Sequence, residues 1–262
     1  MANQSIKHSS FIKNNSHAYF MIPALPFSIW NVDTLLWASD ERHARRLTAD
    51  QRAAMANAEF FMNGKIYTVI GDARHEDHAI LLARMIQTSV SGEKDKEPFP
   101  LVSIYHMCKT FFTNELSTAF RFSCTDIPSW VALECGVPFM FALLLTVYPI
   151  LCKDPMAAID IHFDCKHEST SLAITPHCEI DLENDILHGD FISTLLSATI
   201  ENADFSMSEI ISSEGKKSIC LSSKHVSHVK EALALNASTE LEVQCLFALF
   251  LSLCTQYSDP SQ

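Results

Sequence analysis

The chain has 262 residues, of which 48% are hydrophobic, and it carries a formal net charge of −12 at pH 7. This length suits one large domain or two small ones with a substantial hydrophobic core. The acidic balance disfavours a nucleic-acid partner, because nucleic-acid-binding proteins cluster lysine and arginine. The six glycines stand singly and form no phosphate-binding loop, which disfavours a dinucleotide-binding or P-loop enzyme.

The nine cysteines are scattered along the chain and form no CxxC pair. This pattern is typical of reduced, buried thiols and predicts neither a zinc site nor a disulfide framework. The N-terminus lacks the continuous apolar segment of a signal peptide. The longest apolar run, at 137–152, contains two prolines and is shorter than the ~20 residues that span a bilayer. We therefore expect a cytoplasmic protein with no membrane span, in which this run is a buried helix.

The first part of the chain predicts a polar tail and then a helix, a turn and a strand. Residues 1–16 are polar and are predicted to be disordered. Residues 48–51 (TADQ) have the form of a capping box, which predicts a helix that continues to about Met62. Asn63-Gly64 then predicts a turn into a strand at 65–71 (KIYTVIG).

A second helix and a linker follow. An amphipathic pattern predicts a helix at 72–90. The segment 91–100 (SGEKDKEPFP) is charged, contains two prolines and nearly lacks apolar groups, so it is predicted to be a linker. These features define an N-terminal region at 17–92, and the next region begins at residue 98.

Residues 98–223 alternate helices with strands and end in a hairpin, a pattern that predicts an α/β sandwich. Residues 225–257 then predict two helices, the second apolar on most faces, so that it packs into a core or against a partner. The predicted elements of the sandwich are helix 101–116, strand 119–124, helix 137–152, strands 158–165 and 171–174, helix 191–202 and strands 205–212 and 217–221.

Three of these segments resemble the ATP-binding GHKL domain of sensor histidine kinases. They are 141–155 (FALLLTVYPILCKDP), 191–207 (FISTLLSATIENADFSM) and 213–221 (SEGKKSICL). The resemblance is one of pattern and covers residues 98–223, about half of the chain. It implies a two-layer α/β sandwich of GHKL type, preceded by a smaller, mainly helical region and followed by a C-terminal helical extension at 224–262.

The region at 17–92 carries two further resemblances. Residues 75–95 are similar to the second helix of the kinase dimerisation hairpin, which implies a homodimer. Residues 24–40 resemble the start of a PAS sensor domain, which implies an abbreviated PAS-like domain instead. The sequence leaves both interpretations open.

The positions that match the ATP-binding residues of the family carry other residue types. Ile150, with Leu151 beside it, stands near the family's magnesium-binding asparagine, and Thr175-Pro-His177 stands near the Asp-x-Gly pair that reads adenine. The glycine-rich lid is reduced to a short segment around Gly189. An aliphatic side chain offers Mg²⁺ no oxygen ligand, and phosphates need a permissive backbone. The resemblance therefore implies a pseudokinase-like protein that binds neither ATP nor another cofactor.

Histidine phosphorylation is one alternative that the sequence leaves open. His43, His75 and His78 are the candidate phospho-acceptors of a phosphotransfer protein that receives phosphate from a partner. The pair at 75–78 also fits an ordinary solvated helix start, where acidic neighbours are favoured by the helix dipole.

A metal-dependent enzyme is the other alternative. His75 and His78 share one helix face, whereas Asp160, His162 and Asp164 share one strand face, and either set offers ligands for a metal. Alternating polar residues are also the ordinary solvated side of a strand, and we expect no metal site. The leading hypothesis remains a non-catalytic signalling or regulatory protein of two-component type, with a protein partner and as a homodimer.

Overall fold

Three sheets, five α-helices and one π-helical turn form the regular structure of the described part of the chain. The computed structural model describes residues 28–31, 36–37, 55–72, 76–95, 97–116, 119–166, 169–187, 191–212, 215–228 and 237–257. The strands β1 to β12 are Ser28–Asn31, Leu36–Trp37, Met55–Met62, Lys65–Asp72, Phe99–Pro100, Phe120–Cys124, Val131–Leu133, Ile159–Lys166, Ser169–Pro176, Phe205–Ile211, Lys217–Ser223 and Val226–His228. The helices α1 to α5 are Glu76–Ser91, Leu101–Glu115, Gly136–Lys153, Phe191–Asn202 and Ala237–Tyr257.

A five-stranded mixed sheet forms one layer, and helices packed on one of its faces form the other. The strand order is β10-β11-β9-β8-β6, and every pair is antiparallel except β6 with β8. Along β8, Ile159, Ile161 and Phe163 are buried in the core, while Asp160 and His162 lie on the outer face. The predicted two-layer α/β sandwich is confirmed.

Helix α3 lies at the centre of the core. Every residue from Gly136 to Tyr148 is buried. A Cβ atom on Gly136 would lie 2.2 Å from the Cβ of Phe99, so glycine is required for this close approach. Helix α3 is long and apolar enough to cross a membrane by length and composition, but 83% of its apolar window is buried within the molecule. It is the buried helix that the sequence predicts.

Residues Met55–Met62 form strand β3, so the prediction of a helix over this stretch is wrong. Strand β3 pairs with β4 through Asn63-Gly64, whose φ angles of 51° and 76° suit a two-residue hairpin loop. Phe60 is buried whereas Phe61 is 56% exposed, which is the period-two pattern of a half-buried strand. The capping-box residues at 48–51 lie outside the described residues.

The described part of the region at 17–92 is therefore not mainly helical, and that part of the fold prediction is wrong. Strands β1 to β4 form an antiparallel sheet in the order β2-β1-β4-β3, and α1 packs against it. The Asn63-Gly64 turn and the alternating burial along β3 are features of a β-hairpin, so this segment is not the predicted helix. Helix α1 confirms the predicted helix at 72–90, but no second helix joins it among the residues described here. The PAS-like interpretation stays a prediction.

The charged segment predicted as a linker is built into the fold. Phe99–Pro100 form β5, which pairs with β7, and Phe99 is buried. The Asp95 N–H donates to the Glu134 carbonyl oxygen (2.9 Å), and the Asp95 carboxylate accepts a hydrogen bond from the Val137 N–H (3.1 Å). These contacts hold the segment against the start of α3.

The C-terminal segment belongs to the same core. Val226–His228 form β12, which pairs with β7 in the three-stranded sheet β12-β7-β5, so the first of the two helices predicted here is wrong at these residues. The backbone of β7 supplies the strand partner that the local sequence does not reveal. Helix α5 confirms the second prediction, and its Phe247 ring stacks on Phe111 at 4.0 Å between centroids. Helix α5 therefore packs into the core.

Candidate functional site

The helix position predicted to replace the magnesium ligand lies in the core. Ile150 on α3 is fully buried, and Leu151 beside it is 9% exposed. Ile150 belongs to one continuous apolar cluster with Ile180 and Ile186. Ile150 is therefore enclosed in the apolar core, and its side chain offers a cation no ligand.

The segment that follows β9 is folded tightly, just before the predicted remnant of the lid around Gly189. Leu182–Ile186 form a single-turn π-helix that contacts α3, and Ile180 just before it is buried. The Asp181 carboxylate accepts hydrogen bonds from the N–H groups of Glu183 (2.9 Å) and Asn184 (3.0 Å), so it caps the turn. These hydrogen bonds, above all the one from Asn184, hold the pKa of Asp181 below its ordinary value.

An ion pair fastens this turn to the end of α3. Lys153 Nζ lies 2.6 Å from the Asp185 carboxylate. Burial opposes ionisation of Asp185, but the Lys153 hydrogen bond and the one from the Asp181 N–H outweigh it, and the pKa of Asp185 is lowered. The turn therefore has aliphatic residues inside and a charged link at its rim.

Thr175 and His177, the predicted remnants of an adenine site, lie on the outer face of the sheet. The residues on either side of Thr175 are buried, and its Oγ1 is 2.7 Å from Ser218 Oγ. The structure therefore separates these two positions from Ile150, which lies in the helical layer. Gly189 lies outside the described residues.

A charged cluster occupies one corner of this outer face. Asp160 Oδ1 lies 2.8 Å from Arg121 Nε, and Asp160 Oδ2 lies 2.8 Å from His177 Nε2. All three side chains are at least one-third exposed, and exposed ion pairs of this kind contribute at most about 1 kcal/mol. Sequence reasoning missed the cluster because it depends on the register of three strands; the alternation at 159–164 was the available signal.

The polar strand face at 160–164 does not converge on a metal site. His162 Nδ1 lies 2.9 Å from Ser123 Oγ, and the Thr125 hydroxyl donates to Asp164 at 3.3 Å, whereas Asp160 belongs to the charged cluster. Across the described ranges, no group of three His, Cys, Asp or Glu side chains is placed to hold a metal ion. The strand supplies a solvated face instead.

The three candidate phospho-acceptor histidines fall at or before the start of α1. His43 and His75 lie outside the described residues. His78 is partly exposed and follows Glu76 and Asp77 in the first turn of the helix. This is the acidic helix start that the dipole favours. Phosphorylation at these positions stays a prediction.

The buried cysteines are poor nucleophiles. All nine cysteines are free thiols. Burial raises the pKa of Cys245 to about 12 and that of Cys135 to about 11. Because the thiolate is the reactive form, these side chains serve as core residues.

A cavity of about 280 Å³ lies between the β3–β4 turn and α4. Among the described residues of its lining, Glu201 alone is charged, and none of them offers a basic side chain to a phosphate. Its walls come from segments far apart in the chain, and for that reason the sequence does not reveal it. The lining residues are Asn63, Leu187, Ser193, Thr194, Ser197, Ala198, Glu201 and Asn202.

Comparisons with known proteins bear on the fold alone. No protein-family model and no curated protein matches the sequence. Among solved structures, the chain is similar to the histidine kinase AdeS of Acinetobacter baumannii (TM-score 0.42, 10% identity, 58% of this chain and 79% of that chain). It is also similar to a histidine kinase from Burkholderia phymatum STM815 (TM-score 0.39, 8% identity, 59% and 81%). A third is the histidine kinase domain of the Erythrobacter litoralis EL346 blue-light activated kinase (TM-score 0.36, 9% identity, 58% and 74%). At TM-scores below 0.5, these likenesses carry no argument about function.

Proposed function

We propose that this protein is a non-catalytic, histidine-kinase-like regulator that acts by binding another protein and does not bind ATP. The proposal rests on the packing of the π-helical turn, Leu182–Ile186, onto α3, with Ile150 and Ile180 buried beside it. The sequence resemblance assigns the space between this helix and the lid to the nucleotide. In this chain, Ile150, Ile180 and Ile186 are buried in the apolar core.

The chemistry of the region supports the proposal. Mg²⁺ takes oxygen ligands, and ATP phosphates bind to free backbone N–H groups or basic side chains. The nearby carboxylates are already used, because Asp181 caps the turn and Asp185 pairs with Lys153. Opening the site would expose Ile180 and Ile186, at a cost of about 1.5–3 kcal/mol for each side chain.

A closed nucleotide site leaves the surfaces of the molecule to carry the function. We place the protein in the cytoplasm, in two-component-type signalling, with a protein partner. A regulator of this kind acts through the partner that it binds and catalyses no reaction.

Isothermal titration of ATP with magnesium into the full chain tests the proposal. We expect no binding heat at nucleotide concentrations up to about 1 mM, the weak end of specific binding. A histidine kinase with an intact asparagine and glycine-rich lid is the positive control. Micromolar affinity for ATP in this chain would contradict the proposal.

A further inference from the structure

Strand β10, Phe205–Ile211, forms one edge of the five-stranded sheet and pairs only with β11 among the described strands. Beside it, the Ser212 N–H donates to the Lys216 carbonyl oxygen at 2.8 Å. Along an antiparallel strand, the backbone hydrogen-bonding groups point alternately to the two sides. The backbone N–H and C=O groups of the even-numbered residues of β10 therefore point toward β11. The N–H and C=O groups of the odd-numbered residues, Phe205, Met207, Glu209 and Ile211, therefore point out of the sheet.

This edge carries only one of the features that usually keep sheet edges apart, the charged side chain of Glu209. Proteins protect such edges with proline, lysine, bulges or inward-pointing charges. Strand β10 contains no proline and no basic residue, and its one charge, Glu209, lies 3.0 Å from Lys217 of the neighbouring strand. Ile210 is 49% exposed and Ile211 is 62% exposed. Among the described strands this edge has no second partner, and it is apolar at one end.

We infer that β10 pairs antiparallel with β10 of a second copy, around a two-fold axis at Ser208, so that the two sheets become one continuous sheet. This register pairs the outward groups of Met207 with Glu209 of the other copy, and those of Phe205 with Ile211. It uses the whole strand and covers both exposed isoleucines. A two-fold axis at Glu209 would instead place two carboxylates opposite each other, which is destabilising.

The charges at the two ends of β10 favour a second copy as the occupant. Asp204, just before the strand, is 82% exposed and lies 3.4 Å from His225 Nε2, whereas Lys216 lies exposed in the hairpin beyond the other end of the strand. An antiparallel pairing brings the acidic end of each copy next to the basic end of the other. A two-fold pairing matches these charges twice. The inference rests on the proposed function, because it names the surface and partner through which such a regulator associates.

Disulfide trapping tests the register. Ser208 and Ser206 are both exposed on the outer face of β10. Only Ser208 lies opposite the same residue of the other copy across the proposed axis. The two Ser208 residues form a non-hydrogen-bonded pair, in which the Cβ atoms are close enough for a disulfide. Cys220 stands opposite Ser208 on β11, so both variants are made in a Cys220→Ser background. After mild copper-phenanthroline oxidation, we expect Ser208→Cys to give at least about ten times more covalent dimer than Ser206→Cys on a non-reducing gel.

Sedimentation of the full chain tests the association itself. We expect a dimer for the unaltered protein and a monomer for Ile210→Lys, since the lysine places charge at the pairing edge. Phe61→Lys is the matched control, because Phe61 is 56% exposed on the other sheet, and it should remain dimeric. Circular dichroism confirms that both variants fold.

A monomeric unaltered chain would overturn the inference, as would equal cross-linking of the two cysteine variants or dimers that persist in Ile210→Lys. Pairing of β10 with a different protein, in place of a second copy, would overturn it too. These outcomes are separate from the ATP titration. A monomer that binds no ATP refutes only the dimer, whereas a dimer that binds ATP refutes only the proposed function.

Discussion

Asp95 has a partly buried carboxyl group that links the segment before β5 to helix α3. It accepts the Val137 N–H at 3.1 Å. Burial raises its pKa to about 7, although the hydrogen bonds from the start of α3 oppose this shift, and the Glu242 carboxylate raises the pKa further. The nearby Lys94 ammonium is engaged by Glu134 and does not neutralise Asp95. This side chain therefore titrates close to neutral pH.

We expect the free energy of unfolding to fall as the pH rises from about 4 to about 7, because the folded protein keeps Asp95 protonated while the unfolded chain releases the proton. The stabilisation is complete below the unfolded pKa and is lost once the pH passes the folded pKa. Asp95→Asn should remove this part of the pH dependence. Urea unfolding at several pH values measures it, and equal slopes for the two proteins would show that Asp95 does not titrate in this way.

Single residues of the site were predictable from the sequence, but their partners were not. The aliphatic character of Ile150 and the solvated face at 159–164 follow from residue type and alternation. The contacts of Asp160 with Arg121 and His177 depend on how β8 lies against β6 and β9. Strand register joins distant segments, and one sequence read locally does not contain it.

The π-helical turn at Leu182–Ile186 is an element of the core. We expect Ile186→Ala to lower the free energy of unfolding by about 2–5 kcal/mol, because it leaves a cavity beside α3. Lys153→Ala should cost no more than about 1 kcal/mol, since the Lys153–Asp185 pair is partly exposed. Urea unfolding compares the two. Similar small effects for both variants would mean that the turn behaves as a mobile lid.

Element length decided which parts of the fold could be predicted. The helices α2, α3 and α4 show their periodicity over three or more turns, and the prediction of each is confirmed. Strand β3 follows a capping-box motif, which favours a helix and conceals the alternation that comes after it. Strands β5, β7 and β12 have only two or three residues each and form because they pair with one another. A pattern of period two needs a longer run to be visible.

At the scale of the whole molecule, one apolar core joins the regions that the sequence divides at residues 92, 98 and 223. The cluster extends from Phe60 in β3 through α3 to Phe247 and Leu253 in α5. Helix α5 contacts both α1 and α3. A core of this kind couples the N-terminal sheet to the C-terminal helix, since neither can lose its packing alone.

We therefore expect the chain to unfold in one transition, and Phe247→Ala to lower its stability by about 3–5 kcal/mol. The two probes are far-ultraviolet circular dichroism, which follows the helices, and tryptophan fluorescence, which follows residues that all precede strand β7. If the core is continuous, the substitution in α5 shifts both urea curves equally, even though it lies far along the chain from every tryptophan. If the regions unfolded as independent domains, the substitution would shift the urea midpoint measured by circular dichroism and leave the midpoint measured by fluorescence unchanged.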